Sequence, residues 1–225
     1  MEKKFFFLFV VIAIFFSFSS TVFAVTYNLA NDWNTSNPNT PWAYMHGNSY
    51  LPYQSSIAAL GNAPGFAPSP SNGYFLPVFW KGNQVVYVHS RDDGNGQGAQ
   101  GEAFLRWTAQ KSGYIDLSGF IYYGQTGLSR SNDVILKLMT TTLLTDTVSY
   151  ANHYNEATKL VLSFSNLYVN AGDILSLEIR KSAGYVPGTI ATLNMTITEV
   201  VPEPATWVAL CLGLIALSAL FYNRA

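Results

Sequence analysis

Four carboxylates in the middle of the chain, Glu102, Asp116, Asp133 and Glu178, are the residues best suited to bond-breaking chemistry. Two of them converging within roughly 5–10 Å would make a glycosidase acid/base pair. Scattered along alternating segments, they equally describe the wet face of a sheet. Three histidines, His46, His89 and His153, have no partner at a metal-ligating spacing such as H-E-x-x-H. No G-x-S-x-G elbow exists for a serine hydrolase. Gly96-Gln97-Gly98-Ala99-Gln100-Gly101 satisfies G-x-G-x-x-G in letters only, because it leads into a strand pattern at Glu102–Thr108. A dinucleotide site needs that motif to open a helix facing the pyrophosphate. Asp93-x-Asn95-x-Gln97-Gly98 matches the start of a calcium loop, but Phe104 stands where the bidentate acid belongs. The expectation is a protein without catalytic residues, metal or cofactor.

Sugar binding asks for different residues. Exposed aromatic faces stack on pyranose rings while amides and hydroxyls hold the sugar hydroxyls. The segment from Asn31 to Pro77 offers Trp33, Trp42, Tyr44, Tyr50, Tyr53 and Tyr74 among asparagines and glutamines. Trp33, Trp42, Tyr44 and Tyr53 are therefore the candidate glycan-binding residues. The same rings also suit the plugging of a sandwich end. Trp107 is expected in the core, since it shares a face with Ala103 and Leu105.

The elements positioning these residues read as β-strands. Ala103, Leu105 and Trp107 alternate with Phe104, Arg106 and Thr108; Ile115, Leu117 and Ile121 alternate with Asp116, Ser118 and Tyr122. The same period of two runs through Leu160–Ser165, Leu175–Arg180 and Thr192–Thr198. Such alternation covers a core on one side and meets water on the other. Turn residues fall between, at Lys81-Gly82-Asn83, Asp92 to Gly96, Lys111-Ser112-Gly113, Ala171-Gly172-Asp173 and Ala183-Gly184. Six or more short strands imply an all-β fold, an antiparallel β-sandwich that is jelly-roll-like. No long helix is expected in this body. Asn31 to Pro77 lacks alternation and is expected to wrap the sandwich as loops, and Thr198 to Thr206 to serve as a linker.

Of the 225 residues only 11% are charged. Setting aside Lys3, Lys4 and Arg224 leaves nine basic residues in the body, against eleven acids once Glu2 and Glu203 are set aside. A near-neutral body offers no basic stripe for nucleic acid. Its lack of cysteine (Cys211 lies in the apolar tail) leaves stability to the core rather than to disulfides.

Both ends are apolar. Glu2-Lys3-Lys4, the run Phe5–Phe16 and Val22-Phe23-Ala24 follow the layout of a secretory signal peptide over residues 1–24, with a cut between Ala24 and Val25. The sandwich domain then covers 25–200. In 201–225, Pro202 and Pro204 forbid a helix interior, and Trp207–Phe221 follows without a charge. With its neighbours that run approaches the length of about 17 residues needed for a transmembrane helix. Arg224 stands where a cytoplasmic cation is favoured.

The tail Val201-Pro202-Glu203-Pro204, the apolar run and the basic end closely resemble the PEP-CTERM sorting signal of Gram-negative bacteria. That resemblance implies Pro202, Glu203, Pro204 and Arg224 as the sorting motif. It also implies an exosortase-type membrane protease as partner, and delivery to the cell surface or the exopolysaccharide matrix. Family tails usually end in several basic residues, where this one has Arg224 alone. A second resemblance covers most of the body. Gly101–Ala109, Leu167–Leu175 and the opening Asp32-Trp33, Asn37-Pro38-Asn39 and Pro41–Tyr44 look like segments of carbohydrate-binding-module-like β-sandwiches of secreted bacterial proteins. It implies a fold more than a ligand. The reading is an exported, non-enzymatic, structural or adhesive surface protein with weak glycan binding; the alternative is an exported glycan-active enzyme on the same fold.

Overall fold

The strongest alternation becomes the longest strands. A computed structural model of the chain describes residues 24–70, 77–90, 102–125, 128–182 and 188–200. The strands are β1 (Ala24–Asn28), β2 (Trp42–His46), β3 (Ser49–Tyr50), β4 (Tyr53–Ile57), β5 (Ala63–Phe66), β6 (Val78–Lys81) and β7 (Val86–His89). Then come β8 (Ala103–Thr108), β9 (Gly113–Tyr123), β10 (Ser131–Leu138), β11 (Thr141–Ser149), β12 (Leu160–Val169), β13 (Ile174–Lys181) and β14 (Ile190–Val200). Among the described residues the only helical segments are single 3₁₀ turns at Ala58–Leu60 and Glu156–Thr158. None is long and apolar enough to cross a membrane. The sorting motif, Trp207–Phe221, Arg224 and the signal peptide before Ala24 lie outside the described residues.

Two sheets carry these strands. Sheet A runs β12-β9-β14-β7-β6-β5-β4, with β1 also paired to β14; sheet B runs β11-β10-β13-β8-β2-β3. Antiparallel pairs join β9 to β12, β14 to β7, β7 to β6, β13 to β10 and β8, and β8 to β2. From β8 onward the chain changes sheet at every connection except the β10–β11 hairpin. One hydrophobic cluster draws inward residues from both sheets: Ile115, Leu117, Leu193 and Met195 from sheet A, Leu105, Trp107, Leu177 and Ile179 from sheet B. That shared core defines an antiparallel β-sandwich. Each fully buried aliphatic side chain contributes about 1.5–3 kcal/mol. Trp107 lies in this core, against Tyr27 at 6.0 Å.

The stretch from Asn31 to Pro77 departs from its expected loops, because it contains β2, β3, β4 and β5. Trp42 through Met45 are buried consecutively, so β2 meets no water on either face and shows no alternation. The expected linker at Thr198 also changes. β14 continues to Val200, and Glu199 is buried, its Oε1 accepting from the Gln110 backbone N–H and its Oε2 from the Tyr27 hydroxyl. Burial first, then the Glu199 charge, pushes Tyr27 up to about 12. At the other end, Ala24 opens β1 and is exposed, so a cut before Val25 leaves the rest of that strand in place.

Candidate functional site

The outer face of sheet A carries the most organised group of accessible aromatic rings. In β6, Phe79 enters the core and Trp80 therefore points outward; in β7, Val86 and Val88 enter and Tyr87 points outward. In β9 the inward residues Ile115, Leu117 and Ile121 leave Tyr114, Asp116, Ser118, Phe120 and Tyr122 on the outer face. Strand register then joins them. Trp80 is the cross-strand partner of Tyr87, and Tyr87 of Thr192 in β14. Thr192 in turn lies close enough to the Tyr122 hydroxyl to influence its titration. Trp80 and Tyr87 stack at 5.2 Å and 24°, and Phe120 and Tyr122 at 5.8 Å and 20°.

This strip crosses β6, β7, β14 and β9, three interstrand spacings or about 14 Å. All four rings are half-buried; Trp80 packs against Ile57, Ala67 and Val78, and Phe120 lies under the Lys159 ammonium. Gly82 lets the Tyr87 ring lie down, since a Cβ there would stand 2.4 Å from Tyr87 Cε2. Lys159 sits over Phe120 at 4.7 Å and reaches Glu156 at 3.8 Å. Burial, outweighing the influence of Thr192, raises the Tyr122 hydroxyl above its ordinary value. Tyr122 is therefore a neutral hydrogen-bonding group at neutral pH. Near-flat rings flanked by hydroxyls and one ammonium suit stacking on sugar rings.

The candidate rings chosen from sequence lie elsewhere. Trp42 and Tyr44 are 0% exposed and offer no face to a glycan, which corrects their expected role. Trp42 donates from Nε1 to Asp32 Oδ2 at 3.0 Å, and Tyr44 stacks on Phe66 at 4.6 Å and 13°. Burial, aided by the Asp32 charge, keeps the Tyr44 hydroxyl protonated. Trp33 is half-buried against Tyr44 and Phe66, and Tyr53 is half-buried edge-on to Phe66. Together these rings fill the sandwich interior beside β2 and β5. Tyr50 is exposed on β3, while Tyr74 lies outside the described residues.

On the outer face of sheet B, Glu102 feels the charge of Glu178, and Asp133 stands opposite Arg180, two residues along β13 from Glu178. Glu178 is 6% exposed, with Oε2 3.4 Å from Lys137 Nζ and Oε1 3.4 Å from Arg180. Glu102 titrates above the ordinary range, first through burial and then through the Glu178 charge, with Arg180 and Lys137 opposing. Asp133 accepts from Thr147 and Ser182 on sheet B, whereas Asp116 holds the Asn166 backbone N–H on sheet A. The histidines stay apart as well. His46 ends β2, His89 is buried in β7, and His153 contacts Thr158 O and Asp146. Among the described residues no group of three His, Cys, Asp or Glu could hold a metal. The Asp93–Gly98 loop lies outside them.

The sequence signal for the strip is an aromatic at the polar position of an alternating run, as with Tyr122 beside Ile121. Its weakness is that such a residue is read as one more wet-face position until its cross-strand neighbours are known.

No family model matches the chain, and no curated protein matches it. Among solved structures the chain is similar to the CBM22-1 xylan-binding domain from Paenibacillus barcinonensis Xyn10C (9% identity, 80% of this chain and 98% of that one, TM-score 0.38). It is similar also to the C-terminal family 22 carbohydrate binding module of Clostridium thermocellum Xyn10B (10%, 79% and 95%, TM-score 0.38). A family 35 carbohydrate binding module from Clostridium thermocellum gives 14%, 78% and 97%, with TM-score 0.33. The likeness is one of β-sandwich layout and assigns no ligand.

Proposed function

We propose that this protein binds polysaccharide through the sheet A strip and acts, without catalysis, as a structural or adhesive component at the cell surface or in the extracellular matrix. The observation that carries the reading is the strip itself: Trp80, Tyr87, Phe120 and Tyr122, half-buried, stacked in two pairs and brought to one face by strand register and sheet order. Such rings are held rigid by the sheet, so little ordering entropy is lost on binding. Export rests on the signal-peptide pattern of residues 1–24. Sorting by an exosortase-type protease, with anchoring by Trp207–Phe221 before processing, rests on Pro202-Glu203-Pro204 and Arg224.

The binding test is affinity electrophoresis in gels containing the producing cells' own exopolysaccharide. Trp80→Ala and Tyr122→Ala should each weaken retention about two- to twelvefold, the worth of one aromatic contact of about 0.5–1.5 kcal/mol. Retention unchanged in both variants would remove the strip from the site. For sorting, the surface fraction should hold a chain shortened near Pro202; full-length chain there, with the protease present, speaks against processing.

A second reading, a glycan-active enzyme, is favoured by the proximity of Glu102 and Glu178 and the raised affinity of Glu102 for its proton. It predicts release of reducing ends that Glu102→Gln abolishes. Against it stands the engagement of Glu178 by Lys137 and Arg180, which leaves that carboxylate little freedom to attack or to activate water.

A further inference from the structure

β12 contains an irregularity that changes which side chains meet solvent. Phe164 pairs with Leu117 and Leu167 with Ile115, so three steps on β12 oppose two on β9. Asn166 sits in this bulge at φ 57, and its N–H donates to Asp116 Oδ1 at 2.9 Å. Before the bulge the inward positions are Leu160 and Leu162; after it they are Leu167 and Val169. Tyr168 would keep the parity of Leu160 and point into the core if the strand were regular. The extra residue turns it outward.

The result is a pair. Tyr168 becomes the cross-strand partner of Tyr114, and the two rings meet edge-to-face at 5.4 Å. They are 55% and 48% exposed, among the most exposed large side chains of the described residues. Tyr114 lies on the same outer face of β9 as Phe120, six residues or about 20 Å along the strand. Between them stand Asp116, Ser118 and, across from Ser118, Ser163, all exposed and polar. Aromatic rings therefore occur at both ends of a hydroxyl-lined track, continuous with the strip already described. A second copy of the chain is a poor occupant, because the bulge interrupts the β12 edge that strand pairing would use.

We propose that Tyr114 and Tyr168 form a second sugar-stacking station, and that one polysaccharide chain laid along β9 occupies both this station and the Phe120–Tyr122 end of the strip. The proposal rests on the glycan-binding reading above and adds to it a dependence on chain length: two linked contacts reinforce one another only when the ligand spans both.

The test compares the full chain in mild detergent with its Tyr114→Ala/Tyr168→Ala double variant. The probes are the purified exopolysaccharide and its short acid-hydrolysis fragments, with binding read by calorimetry. The wild-type chain should hold the polymer at least about tenfold more tightly, per binding site, than the fragments. The double variant should lose that advantage while fragments still bind the remaining strip and the unfolding midpoint stays unchanged, and Tyr114→Phe/Tyr168→Phe should retain it. Length-independent binding by the wild-type chain, or a double variant that keeps the polymer advantage, overturns this inference and leaves the strip standing. If the wild-type chain holds neither probe, the strip and the inference fall together. A change in sedimentation without a change in glycan affinity assigns the pair to self-association and also overturns it.

Discussion

Replacing Gly82 by Ala separates binding from folding. A Cβ at Gly82 would lie 2.4 Å from Tyr87 Cε2, 3.1 Å from Cζ and 3.2 Å from the hydroxyl oxygen. Carbon atoms in ordinary contact stand about 3.5–4.0 Å apart, so the ring must retreat by more than about 1 Å. Tyr87 is half-buried on an outer face and has room to swing, which disrupts its 5.2 Å stack on Trp80. The lost pair costs about 0.5–1.5 kcal/mol. Ala restricts the unfolded chain and returns about 0.4–1 kcal/mol. Net stability should therefore stay within about 1 kcal/mol of wild type, while affinity for exopolysaccharide falls about two- to twelvefold. Urea midpoints followed by tryptophan fluorescence measure the first, affinity electrophoresis the second. Gly65→Ala is the contrast, since its Cβ would strike the Phe79 carbonyl oxygen at 2.4 Å and backbone cannot swing aside. It should destabilise clearly. A Gly82→Ala chain whose Tyr87 has moved yet whose affinity is unchanged would refute the assignment of Tyr87 to the site.

Two further outcomes concern the fold beneath the strip. His89 is 4% exposed, and its pKa is lowered from 6.5 to about 4, chiefly by burial and also by Arg130, against a hydrogen bond to the Ser90 backbone. The unfolded chain thus binds a proton more readily than the folded one. Stability should be full above about pH 6.5 and decline by about 3 kcal/mol as pH falls towards 4. His89→Leu should flatten that slope in urea titrations across the range. Asn132 is fully buried; its Oδ1 accepts from Ser90 Oγ at 2.7 Å and Thr189 N–H at 3.3 Å, and its Nδ2 donates to Thr189 O at 2.8 Å. Asn132→Ala strands these groups away from water and should cost about 2–4 kcal/mol in unfolding experiments.

Legibility followed the physics of each element. The stretch Leu193-Asn194-Met195-Thr196-Ile197 announces a half-buried strand because one face meets water, and β14 forms there. β2 could not be read this way, since both faces of Trp42–Met45 are covered. The β10–β11 hairpin was hidden for another reason. Its turn passes through Met139 at φ 53, without the Gly or Asn that usually marks a positive φ. Trp107 was legible as core from its alternation with Arg106. Trp42 and Tyr44, in contrast, resembled loop aromatics and proved to be interior ones.

Sequence alone determined what depends on near neighbours along the chain: the period of two, the turns at Gly82-Asn83 and Gly172-Asp173, the absence of disulfides from the body, and the apolar patterns that carry the export reading. Tertiary structure decided which aromatic rings are left for a ligand. Trp80 and Tyr87 face each other across the β6–β7 hairpin, but Tyr122 stands 35 residues beyond Tyr87 and joins them only through the order of β7, β14 and β9. Tyr168 faces outward only because one additional residue in β12 reverses the parity of the strand. Both facts arise from hydrogen bonds between distant segments, and a local pattern contains no term for them.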